Sequence, residues 1–100
     1  MILYNITYSV EKEIENQWLN WIKTEYVAEI VQTGLVAEHN ILKLLTEIDN
    51  GGVTYSFQCW FKTMAECEAY QIQFADDIQD KHYQRFKGKF VEFNTLLEKV

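Results

Sequence analysis

The sequence predicts an α+β domain of order β-α-β-β-α-β, in which a four-stranded antiparallel sheet carries both helices on one face. Three observations carry this. The apolar period switches from two residues to helical spacing, back to two, and then through the same cycle again. Asp49-Asn50-Gly51-Gly52 sits midway along the chain between two strand-like runs. The segment Arg85-Phe86-Lys87-Gly88-Lys89-Phe90-Val91-Glu92-Phe93-Asn94-Thr95-Leu96-Leu97-Glu98 reads as a helix end, a glycine break and a strand apolar on both faces.

The first strand opens the chain. Ile2, Tyr4, Ile6, Tyr8 and Val10 alternate with Leu3, Asn5, Thr7 and Ser9, so one face is apolar and the other mostly polar. Ile14, Trp18, Trp21, Ile22, Tyr26 and Ile30 then recur at helical spacing, which predicts a helix from about Glu13 to Thr33, roughly 30 Å long at 1.5 Å per residue. Gly34 follows as a C-terminal cap.

Leu35 to Ile48 reads as the second strand, with Ile41-Leu42-Lys43-Leu44-Leu45 apolar on both faces. Asn50-Gly51 is a strong hairpin signal, because both turn positions need positive φ. In the third strand Val53, Tyr55, Phe57, Cys59 and Phe61 share one face; Thr54, Ser56, Gln58 and Trp60 share the other. Thr63-Met64-Ala65-Glu66 is a capping box. The second helix turns Met64, Cys67, Tyr70, Phe74 and Ile78 inward and ends between Lys81 and Gly88. The fourth strand runs from about Lys89 to Glu98.

One hundred residues fit one domain spanning 1–100, and 48% hydrophobic content is ample for a core. A net charge of −6 disfavours nucleic acid and anionic membrane as partners, since both need a basic surface. No apolar run approaches the roughly 20 residues of a membrane span. The first residues carry no basic leader, so the expected compartment is the cytoplasm, with Cys59 and Cys67 as reduced thiols. Neither cysteine has a metal or redox spacing, and no cofactor is expected.

Two β-α-β units joined by a hairpin form the ferredoxin-like arrangement, with expected strand order 4-1-3-2. Tyr4, Ile6, Tyr8, Tyr55 and Phe57 then meet the helices. The opposite face carries Leu3, Trp60 and one apolar row from each of the second and fourth strands. Monomers seldom expose such a patch, and a homodimer with two such faces packed as a barrel covers it.

Trp18-Leu19-Asn20-Trp21 with Thr33-Gly34-Leu35, then Gly51-Gly52-Val53-Thr54-Tyr55-Ser56, then Arg85-Phe86-Lys87-Gly88-Lys89-Phe90-Val91-Glu92-Phe93 resemble an uncharacterised bacterial family, a domain of unknown function. The similarity covers essentially the whole chain, and its last segment is the most specific. That family is similar to the dimeric α/β-barrel superfamily, which includes cofactor-free monooxygenases, isomerases and haem-dependent enzymes. The resemblance implies the fold and a dimer, but no settled activity. Tyr26 stands where that family commonly has histidine, and Asn94 where it commonly has arginine.

Candidate chemistry is sparse. His39, in the second strand, reads as an edge-strand histidine rather than a base or a haem ligand. His82 and Arg85 return near the inward face of the second helix, where they would hold an anionic ligand or an enolate oxygen; the plainer reading is cations at a helix C-terminus. Trp18, Trp21, Tyr26, Tyr55 and Tyr70 suit a flat ligand, or plain core. Asp76, Asp77 and Asp80 read as a solvated helix face, not a metal site. The expectation is therefore a homodimer binding a small aromatic or anionic ligand between helices and sheet, through Trp21, Tyr26, Tyr55, His82 and Arg85. The alternative is a cofactor-free monooxygenase or isomerase of the dimeric α/β-barrel type. Haem binding through His39 or His82 is a third reading.

Overall fold

A computed structural model describes residues 1–46 and 51–100. Strand β1 (Ile2–Glu11) passes through a single 3₁₀ turn (Lys12–Ile14) into helix α1 (residues 15–32). Strands β2 (Glu38–Lys43) and β3 (Gly52–Phe61) follow, then helix α2 (residues 64–86) and strand β4 (Phe90–Glu98). The sheet order is β2-β3-β1-β4, and every pairing is antiparallel. This is the expected order 4-1-3-2 read from the other edge.

The second strand is shorter than its apolar pattern predicts. Residues 35–37 approach the sheet without joining it, although the Ala37 amide donates to the Trp60 carbonyl at 2.8 Å. At the far end the Leu44 amide donates to the Thr54 carbonyl at 2.9 Å, beyond which Leu45 is exposed. Ile48 and the Asp49-Asn50 half of the turn lie outside the described residues. Gly51 has φ of 77°. Gly52 is required by proximity, because a Cβ there would stand 2.7 Å from the Val10 carbonyl oxygen.

Both helices contain a π-helical turn, at Ile22–Tyr26 and at Gln71–Ala75. The turn in α1 explains its apolar spacing. Trp18, Ile22, Tyr26 and Ile30 stand at strict intervals of four and are all buried. A regular α-helix turns 100° per residue, so such a stripe would drift by about 40° at each step. A wider turn absorbs the drift and keeps all four on the sheet. Helix α2 starts as its capping box predicts, with the Thr63 hydroxyl accepting from the Glu66 amide at 3.2 Å.

The core lies between helices and sheet. Tyr4, Ile6, Tyr8, Tyr55 and Phe57 are buried there, with Cys67, Tyr70 and Ile78 opposite. Met64, expected inward, is exposed in the first turn of α2, and Phe74 is half-buried. On the other face Leu3 and Trp60 are paired in register, while Leu42, Leu44, Val91 and Phe93 are exposed. No helix among the described residues is long and apolar enough to cross a membrane.

Candidate functional site

Helix α2 enters the core with mainly apolar side chains and ends with polar ones. His82, one turn before its end, is completely buried. It is ringed by Tyr8, Phe90, Trp21, Phe86 and Tyr26, with ring centroids 4.9, 4.1, 5.6, 5.8 and 5.9 Å away. Its Nε2 accepts a hydrogen bond from Trp18 Nε1 at 2.8 Å. That bond assigns the imidazole proton to Nδ1, which has no partner among the described residues. Burial pushes the His82 pKa down to about 4, so the ring is neutral at physiological pH.

Gln79, three residues earlier on the same helix, donates from Nε2 to the Tyr26 hydroxyl at 2.7 Å, while its buried Oε1 has no partner among the described residues. The Tyr26 and Tyr8 hydroxyls share a bond of 2.9 Å. Burial drives both phenols well above their usual range, so neither ionises near neutrality. The layer between α2 and the sheet thus holds a neutral imidazole, two neutral phenols and an amide inside a box of rings. Two of its hydrogen-bonding atoms, His82 Nδ1 and Gln79 Oε1, face no partner among the described residues.

The sequence-expected residues divide around this box. Trp21, half-buried, stacks on Tyr26 at 5.7 Å and on His82, so these three come together. Tyr55 is buried one ring further on, 5.1 Å from Trp18. Its hydroxyl donates to Glu15 Oε2 at 2.6 Å, and Lys43 Nζ lies 3.0 Å from the same oxygen. The bond from Tyr55, and secondarily Lys43, holds the Glu15 carboxyl below its usual range; burial pushes Tyr55 up to about 12. Arg85 stands outside the box: it is exposed, with its guanidinium 5.8 Å from the Phe86 ring centroid.

Other candidates are dispersed. His39 is exposed on edge strand β2, and Asn94 is exposed on β4, opposite Ile6. Asp76, Asp77 and Asp80 are exposed, and no three metal-ligating side chains converge among the described residues. Gln79 escaped the sequence reading, although a polar residue three positions before His82 on an inward stripe was a usable signal. The Glu15 link to Tyr55 had none, since the two stand 40 residues apart.

The profile of a family described as "Domain of unknown function (DUF4286)" matches residues 1–100. No curated protein matches the chain by sequence. Among solved structures, an uncharacterised NIPSNAP domain protein from Burkholderia xenovorans is similar with a TM-score of 0.75 and 14% identity, over 100% of this chain and 95% of that one. A dimeric ferredoxin-like protein from an uncultured marine organism gives 0.71 and 14%, with the same coverages. An antibiotic biosynthesis monooxygenase gives 0.70 and 12%, over 100% and 99%. At such identities the likeness is one of fold.

Proposed function

Because the chain belongs to DUF4286, a family described without an activity, its function must be read from its own geometry, and we propose that it is a cytoplasmic homodimer that binds a small aromatic or anionic ligand between helices and sheet. One observation carries this: His82 Nδ1 and Gln79 Oε1 are buried on one face of α2, inside an aromatic box, without partners among the described residues. Buried polar atoms are nearly always satisfied. One donor and one acceptor among rings match a flat ligand that carries both functions, such as a hydroxylated aromatic acid. Trp21, half-buried at the edge of the box, is the ring whose movement admits it, and Tyr55 forms the far wall. Exposed Arg85 is limited to an acidic group reaching out past Phe86.

The dimer is supported by the apolar rows on the helix-free sheet face, and a similar fold occurs in a protein described as dimeric. Light scattering at micromolar concentration should give twice the 11.9 kDa chain mass. For the site, a panel of hydroxylated aromatic acids should perturb the His82 ring and Gln79 amide resonances together. Perturbations confined to surface residues across the panel would remove the site.

The second reading is a cofactor-free monooxygenase or isomerase, and His82 favours a particular form of it. With Nε2 engaged by Trp18, the imidazole presents a neutral Nδ1–H donor. Such a donor suits an enolate or other developing oxyanion better than it suits proton abstraction. Oxygen uptake, or isomerisation of an enolisable aromatic substrate, abolished in His82→Leu would favour this reading over binding alone.

A further inference from the structure

The sheet face turned away from the helices is ordered in cross-strand rows. Register sets Leu42, Ser56, Thr7 and Phe93 side by side across β2, β3, β1 and β4. The next row runs through Thr54, Ser9 and Val91, with Leu44 tied to Thr54 by its amide. On the other side come Asn40, Gln58, Asn5 and Thr95. The two central strands therefore supply hydroxyls and amides, and around the middle of the sheet the edge strands supply apolar walls. Between the walls lies a groove of about 630 Å³, lined by Thr7, Ser56, Leu42, Leu44, Val91 and Phe93 among others.

The floor is polar, neutral and already knit together. Ser56 donates to Asn5 Oδ1, Asn5 Nδ2 donates to Thr7 at 3.2 Å, and Gln58 Nε2 donates to Ser56 at 3.4 Å. Neither charged neighbour belongs to the floor. Lys43 and Glu92 pair in register with Tyr55 and Tyr8, whose side chains are buried among the helices, and Lys43 Nζ is engaged by Glu15. Lys43 and Glu92 both border the groove, but with the Lys43 ammonium paired to Glu15 an anion here would gain little, in a chain of net charge −6. A bare second copy laid on this face would match the apolar walls but would press one hydroxyl floor against another. The volume falls within the range of about 300–1,000 Å³ typical of small-molecule sites.

We propose that this groove binds a neutral amphiphile, with one hydrogen-bonding group on the Thr7–Ser56 floor and apolar surface against the walls. The second copy closes the site, which in that respect rests on the homodimer reading above. The site is distinct from the aromatic box, being on the opposite face of the sheet.

The test uses the full chain and two dyes on one naphthalene scaffold. N-phenyl-1-naphthylamine is neutral with one N–H donor; 8-anilinonaphthalene-1-sulfonate adds a sulfonate. The neutral dye should show saturable fluorescence enhancement and bind at least about tenfold tighter than the anionic one. Thr7→Phe fills the floor and should weaken the neutral dye by about tenfold or more. Ser56→Val, a smaller change that removes the floor's central hydroxyl, should weaken it by about threefold or more. Circular dichroism identifies which variants fold. Equal affinity for both dyes overturns the neutral floor as the binding determinant. Undiminished binding in either folded variant overturns the groove as the site. A monomeric mass in the same samples overturns closure by a second copy, whatever the dyes report.

Discussion

Lowering the pH from 7 to 5 should cost the fold about 2 kcal/mol through His82 alone. The unfolded imidazole takes its proton near 6.5, whereas in the fold burial holds it to about 4. Between those values the unfolded chain binds the proton and the folded chain does not. Stability is therefore retained above 6.5 and lost as pH falls toward 4. One pH unit of separation is worth about 1.4 kcal/mol, which bounds the full loss at about 3.4 kcal/mol. About 2 kcal/mol of this falls between pH 7 and 5, where most carboxylates do not yet titrate. The assay is urea unfolding followed by tryptophan fluorescence, at constant ionic strength, on wild type and His82→Gln. The variant keeps a polar side chain beside Trp18 and removes the titrating group. It should be less stable at pH 7 yet flatter with pH by about 2 kcal/mol. Parallel losses in both proteins would mean that His82 is not held neutral by the core, and the reasoning about its environment would fail.

Three further outcomes follow from the same geometry. Tyr26→Phe removes the hydroxyl that joins Gln79 to Tyr8 and should cost about 1–3 kcal/mol in urea unfolding; a cost near zero would mean the triad is not formed. Cys59 is buried, and burial pushes its thiol up to about 12, so at pH 8 it should resist a disulfide reagent until the chain unfolds; labelling at the rate of a free thiol would contradict its placement. Gly52→Ala should lower the melting temperature, because the added methyl meets the Val10 carbonyl oxygen, and a backbone atom in the central strand cannot easily yield; an unchanged melt would show that the β1–β3 approach is looser.

Much of the fold is written locally. The alternation of Ile2 to Val10 and of Val53 to Phe61 sets which faces meet the helices, because a strand's side chains can point only two ways. Thr63 sets the start of α2 through one hydrogen bond to Glu66. Even the interval of four in Trp18, Ile22, Tyr26 and Ile30 carried the mark of an overwide turn, although it was readable only as helical spacing. The candidate site was legible as a list of rings and a histidine. Its arrangement was not, since Trp18 and His82 are 64 residues apart and Tyr8 and Tyr26 are 18 apart. Periodicity brought His82 to the inward face but gave no hint that Trp18 would occupy its Nε2 and leave its buried Nδ1 without a partner among the described residues. The same periodicity put Arg85 near that face, yet the helix ends at Phe86 and leaves the guanidinium in solvent. Sequence by itself determines the period, the caps and the faces, which are short-range properties of the chain. Only the packed structure decides which buried polar atom finds a partner, because that depends on distances between residues far apart in the chain.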